Sequence, residues 1–300
     1  MLTSFNWIIV WLRFELNLLS FLPLISRGGN NSSTSSSVKY FLIQAIGRII
    51  LLISFRGIFS SFEFPFREYI IFLIRIILKM GIAPFHFWFP SVVNNLSYGN
   101  IIVILSLQKI GPIFLIVFFL NIIRRFLLLL ICSVTSLVGG VGGLNQTRFR
   151  GIISYRRIGH LGWIFCLINI SIFVPFFYFL FYCFIVLYIV FFLYYFRIKK
   201  LFSMEKVFSL RSGKFYIIFR LLSLGGIPPI LGFFPKWLIF SLIGNSILIF
   251  ILILGSLINL FFYLSVRFSN LTQRKIFYKF KRNFFFFFFV NLFLPLLLLF

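Results

Sequence analysis

The chain has 300 residues, 61% of them hydrophobic, with a mean hydropathy of +1.10 and a net charge of +25. Soluble domains hold about 45–50% apolar residues, so the composition excludes a soluble globular fold and points to an all-α, polytopic membrane protein. A charge this positive ordinarily suggests nucleic acid, but the apolar stretches leave no soluble face to present it, and nucleic acid is not expected as a partner.

A spanning helix takes about 20 apolar residues, and ten such segments fit the chain, at 2–25, 38–59, 68–90, 97–121, 126–143, 150–171, 173–196, 215–240, 243–266 and 284–300. The first contains Arg13 and Glu15 and runs on without a small-residue cleavage site, so it reads as a retained helix rather than a signal peptide. Asn30 to Ser37 reads as a polar connection whose serines cap the second helix. The second span holds Arg48. The third carries Lys79 at its middle, followed by Gly81, Ile82, Ala83 and Pro84. Lys109 lies half-way along the fourth span, and the sixth holds Arg156, Arg157 and His160. In the eighth, Gly225, Gly226, Pro228 and Pro229 precede Lys236. Cys132, Cys166 and Cys183 fall in separate spans without ligand-like spacing, which speaks for small core residues and against a metal site or a disulfide framework.

Alternating the spans puts sixteen basic residues on one side, in the connections around Arg27, Arg148, 197–214 and 267–283, against only Arg56, Arg67, Arg124 and Arg125 on the other. The positive-inside rule then orients both termini outward. The basic connections serve as topology determinants and lipid headgroup contacts.

A lysine at the centre of a spanning helix costs roughly 3 kcal/mol on insertion scales, so a chain that keeps one needs a partner, water or a proton-handling role for it. Lys79 and Lys109 both stand there. Glu15 is the one carboxylate deep inside a span, because Glu63, Glu68 and Glu205 fall in or near connections. A buried carboxylate keeps its charge beside a cation, so Glu15 is expected to pair with Lys79, with Lys109 as the next station and His160 linking onward to Lys236. Joining or separating such a pair changes its affinity for a proton. Helix breaks beside Lys79 and Lys236 fit the same reading, since paired interruptions mark ion sites in transporters. Proline kinks used for packing are the plainer alternative.

At these residues the chain resembles the antiporter-like, proton-pumping membrane subunits of mitochondrial respiratory complex I, in particular the subunit 2 family. The matching stretches are Glu15 to Phe21 with Pro23, Lys39 to Leu42 with Gln44, Lys79 to Trp88, Gln108 to Ile110 with Pro112, Gly142 to Thr147, His160 with Gly162 and Trp163, and Leu224 to Trp237. The resemblance implies antiporter-like inverted repeats with two discontinuous helices. Residues 1–121 would form a first repeat lacking its leading helix, 122–268 the second repeat, and 269–300 a basic loop with a closing helix. It also implies that Glu15 and Lys79 are the family's glutamate and lysine pair, Lys109 its central lysine and Lys236 the lysine after the second break, to which the relay read above adds His160. Other membrane subunits and lipid would surround the chain. Cofactors, namely NAD, FMN, iron–sulfur clusters and ubiquinone, would belong to partner subunits and none to this chain. The location would be the mitochondrial inner membrane. A free-standing cation/proton antiporter and a non-conducting scaffold are the alternatives from other classes.

Two features of composition accompany this. Phenylalanine reaches 49 while alanine is confined to Ala45 and Ala83, as a thymine-biased organelle gene would produce. Arginine occurs inside the spans at positions 13, 48, 75, 156, 157 and 220, and four of these, Arg13, Arg48, Arg156 and Arg157, stand where the family has glycine, serine or another small residue. Several animal mitochondrial codes read AGA and AGG as serine or glycine, so arginines at such places are expected to come from the wrong codon table. The low methionine count of 3 fits ATA read as isoleucine in the same way.

Overall fold

The computed structural model describes residues 7–27, 31–60, 66–118, 125–144, 146–168, 171, 173–195, 225–226, 232–242 and 246–272. Among them the secondary structure is helical: α1 (Trp7–Ser26), α2 (Asn31–Ser60), α3 (Phe66–Met80), α4 (Trp88–Val93), α5 (Tyr98–Leu105), α6 (Leu107–Phe118), α7 (Arg125–Leu144), α8 (Phe149–Ile168), α9 (Val174–Tyr195), α10 (Phe234–Leu242) and α11 (Ser246–Thr272). Among the described residues, five stretches are long and apolar enough to cross a membrane: Ile8–Ser26, Asn31–Ser54, Tyr98–Val117, Leu127–Leu144 and Val174–Tyr195. The expected span at 284–300 lies outside the described residues, as do Arg220 and the basic stretch 197–214. The chain divides into two compact units, residues 1–135 and 136–300.

In the first unit α2 packs along both α1 and α3. Leucines and isoleucines on the far sides of α1 and α2, such as Leu16, Leu19, Ile46 and Ile49, are exposed, as helices facing hydrocarbon or another subunit require. One boundary differs from the sequence reading. The serines after residue 30 do not form a connection, because α2 begins at Asn31. Ser35, Ser36 and Ser37 turn their hydroxyls back onto the carbonyls of Ser32, Ser33 and Thr34, so the polar side chains satisfy themselves within the first helical turns. The third span is interrupted beside Lys79, where the sequence reading expected a break: α3 stops at Met80, Gly81 takes a left-handed φ of 67°, and the chain restarts as the short α4.

In the second unit α8 is buried almost all round, contacting α9 and α11. Glycine sets how closely its neighbours approach. A Cβ on Gly139 of α7 would lie 2.3 Å from the backbone nitrogen of Gly159 on α8, and one on Gly255 of α11 would lie 2.6 Å from the Ser136 carbonyl. Without a hydrophobic drive between helices in lipid, such backbone contact supplies the packing. α8 is absent from the five crossing stretches because Arg150, Arg156 and Arg157 interrupt it.

Candidate functional site: lysines at the helix breaks

The end of α3 shows how a broken helix survives inside a bilayer. A helix leaves its last four carbonyls without intrahelical donors. Here the amide of Ile82 donates to the Ile77 carbonyl at 3.1 Å and that of Gly81 to Leu78 at 3.2 Å, the paired bonds of a Schellman turn. The Trp88 indole also donates to Leu78, at 3.1 Å. The last two carbonyls, of Lys79 and Met80, accept from the Lys109 ammonium at 3.4 and 2.9 Å. Lys109 reaches them from α6 and is 1% exposed. It therefore closes the break and places its charge at the negative end of the α3 dipole.

Lys236 does the same in the second unit. It is buried on α10, and its ammonium donates to the Gly225 carbonyl at 2.8 Å, immediately before Gly226 turns with a φ of 72°. A side chain at Gly226 would meet the Lys236 stem at about 3.0 Å, so the glycine lets the lysine return to its own break. Residues 227–231, with the two prolines of the sequence motif, lie outside the described residues.

Glu15 and Lys79 are arranged differently from expectation. The Glu15 carboxylate is bound by the Arg48 guanidinium, not by Lys79. The cause is the position of α2, which lies against both α1 and α3 and delivers Arg48 to the carboxylate. Lys79 places its ammonium 3.3 Å from the centre of the Phe14 ring and remains within electrostatic reach of Glu15, Arg75 and Lys109. Lys79 and Arg48 share a polar cleft of about 310 Å³ with Arg75, Gln44, Tyr40, Asn17 and Gln108. Arg75 is satisfied by the Gly47 carbonyl at 3.1 Å and the Phe14 face.

In the second unit His160 hydrogen-bonds through Nδ1 to the Tyr178 hydroxyl at 2.7 Å, while Nε2 accepts from Arg156 at 3.4 Å. His160 and Lys236 line one narrow, partly open cleft, together with Arg156, Trp163, Ser136 and Asn259. The structure thus gathers Glu15, Lys79 and Lys109 in one unit and His160 with Lys236 in the other. Asn17, Gln108 and Tyr178 were not singled out from the sequence as site residues. Polar side chains inside apolar spans are the signal that finds them.

Five stretches among the described residues long and apolar enough to cross a membrane, with a buried lysine at each of two backbone turns, define an all-helical, polytopic membrane protein. The family profile described as NADH:quinone oxidoreductase/Mrp antiporter, transmembrane, matches residues 4–262. The chain belongs to that family. Its relatives include NADH-ubiquinone oxidoreductase chain 2 of Lumbricus terrestris, 36% identical over 276 residues with 90% of this chain and 82% of the relative covered. The same subunit of Anopheles gambiae is 37% identical over 298 residues, covering 94% and 86%. Among solved structures, a chain of respiratory complex I from Thermus thermophilus aligns with a TM-score of 0.74 at 19% identity, over 88% of this chain and 65% of that one. One of the Mrp complex from Dietzia sp. aligns with a TM-score of 0.73 at 16% identity, over 85% and 55%. At these identities the structural matches establish the fold.

Proposed function

We propose that this chain is a core membrane subunit of respiratory complex I, which translocates protons across the mitochondrial inner membrane as electrons pass from NADH to ubiquinone. Neighbouring subunits would hold the NAD, FMN, iron–sulfur and ubiquinone sites and deliver redox energy as conformational work. The observation that carries this reading is the lysine at each helix break, since Lys109 and Lys236 bind the carbonyls that the breaks expose. A lysine that loses its proton there loses both a donor and the charge facing a helix C-terminus. Protonation and the geometry of the break are therefore linked, and a shift in one changes the other.

On this reading Glu15, Lys79 and Lys109 form the relay of the first repeat, and His160 and Lys236 that of the second. The repeats, 1–121 and 122–268, are related by inversion, with 269–300 closing the fold. Lys79 changes partner as the cycle proceeds, facing Glu15 in one state and the Phe14 ring in the other. Groups this close titrate as a set.

Lys79→Met in the assembled complex tests the proposal. NADH oxidation coupled to pumping is expected to fall, with a lower ratio of protons moved per electron. Unchanged activity and ratio would leave only a scaffolding role. The fold shared with an Mrp complex favours cation/proton exchange as the second reading, and purified chain exchanging sodium for protons in liposomes would support it.

A further inference from the structure

Beyond the charged residues, one neutral contact joins the elements that carry them. Asn17 of α1 and Gln108 of α6 exchange two hydrogen bonds. The Asn17 amide nitrogen donates to the Gln108 carbonyl oxygen at 2.8 Å, and the Gln108 amide nitrogen donates back to the Asn17 oxygen at 2.9 Å. The Tyr40 hydroxyl of α2 approaches the same Gln108 oxygen at 3.5 Å. Gln108 and Tyr40 are 7% and 3% exposed and Asn17 is half-buried, so the cluster is largely shielded between the helices.

We infer that Asn17 and Gln108 are positioning residues of the proton-translocating site, whose reciprocal amide pair holds the helix of Glu15 in register with the helix of Lys109. The inference rests on the reading under Proposed function. Asn17 is two residues from Glu15, and Gln108 directly precedes Lys109. Any slide of α1 against α6 breaks both bonds together, and a buried amide left without its partner carries the full cost of its desolvation. The pair contains no group that ionises in the physiological range, so it holds the two helices without itself carrying charge. It also forms one wall of the cleft in which Arg48 and Lys79 face each other. With α1 fixed to α6, and Lys109 fixed to the end of α3, Glu15 and Lys79 exchange partners by side-chain motion rather than by helix separation.

The test uses assembled complex I carrying Asn17→Leu, Gln108→Leu, or the exchanged pair Asn17→Gln with Gln108→Asn, beside Lys79→Met. Protons moved per electron and NADH oxidation are both normalised to assembled complex. Each single variant is expected to lower pump-coupled turnover on the order of tenfold, as loss of two net hydrogen bonds implies. The single variants are also expected to lower the proton ratio. The exchanged pair keeps both amides and the combined side-chain length, so it is expected to recover most of the ratio. Single variants that keep the full ratio once normalised, or an exchanged pair no better than either of them, would overturn the positioning role. If Lys79→Met also leaves the ratio intact, the translocation reading itself fails. If Lys79→Met lowers it while Asn17→Leu and Gln108→Leu do not, only the amide pair is excluded.

Discussion

Arg157 is fully enclosed on α8, and its Nε, Nη1 and Nη2 meet no hydrogen-bond acceptor. Its charge rests on the faces of Phe179 and Tyr182, at 5.1 and 4.4 Å. Burying an ion without a counter-charge costs several kcal/mol, and full enclosure leaves no opening through which another subunit could supply one. Arg13 likewise buries an unpartnered Nη1. Arg48, by contrast, meets the Glu15 carboxylate, and Arg75 is bonded to Gly47. Arg13 and Arg157 are therefore expected to be serine or glycine in the protein made by the organelle, and the small-residue positions of Arg48 and Arg156 extend the expectation to them. Mass spectrometry of native peptides covering residues 13, 48, 156 and 157 checks this, and arginine masses there, or CGN codons, would refute it. With a small residue at 48, Lys79 becomes the cation left beside Glu15.

Glycine shapes both the ends of these helices and the contacts between them. Gly81 sits at the left-handed position that ends α3, and a Cβ there would come within 3.0 Å of the Phe89 Cβ. Gly81→Ala is expected to lower stability by about 1–2 kcal/mol from the left-handed backbone alone, read as a lower melting temperature of the complex. Gly139→Ala pushes α7 and α8 apart, because the new carbon would lie 2.3 Å from the Gly159 nitrogen. Overpacking of this kind costs about 1–3 kcal/mol, and a reduced yield of assembled complex on native gels is the expected outcome. Gly99→Ala serves as the control, since nothing lies within 4 Å of its added carbon. The break in the third span was legible because Gly81 and Pro84 are visible in the sequence, and α3 stops where a left-handed turn and a proline cannot continue it.

For the whole molecule, the uneven loop charge predicts that 197–214 and 267–283 face the matrix and that both termini face the intermembrane space. Protease added to inverted inner-membrane vesicles is expected to cut within 197–214, and protease added to mitoplasts is expected to spare it. The opposite pattern would reverse the orientation. Membrane class and the five crossing stretches among the described residues were legible in the sequence, because hydropathy is a local property of a segment. Partnership was not. That Arg48 rather than Lys79 binds Glu15, that Lys109 closes a break 29 residues away in the chain, and that Asn17 meets Gln108 across 91 residues depend on which helices lie side by side. In an apolar chain, little in the residue pattern distinguishes one helix face from another. Only the tertiary packing, set here by α2 against α1 and α3 and by glycine contacts around α8, decides which buried charge meets which.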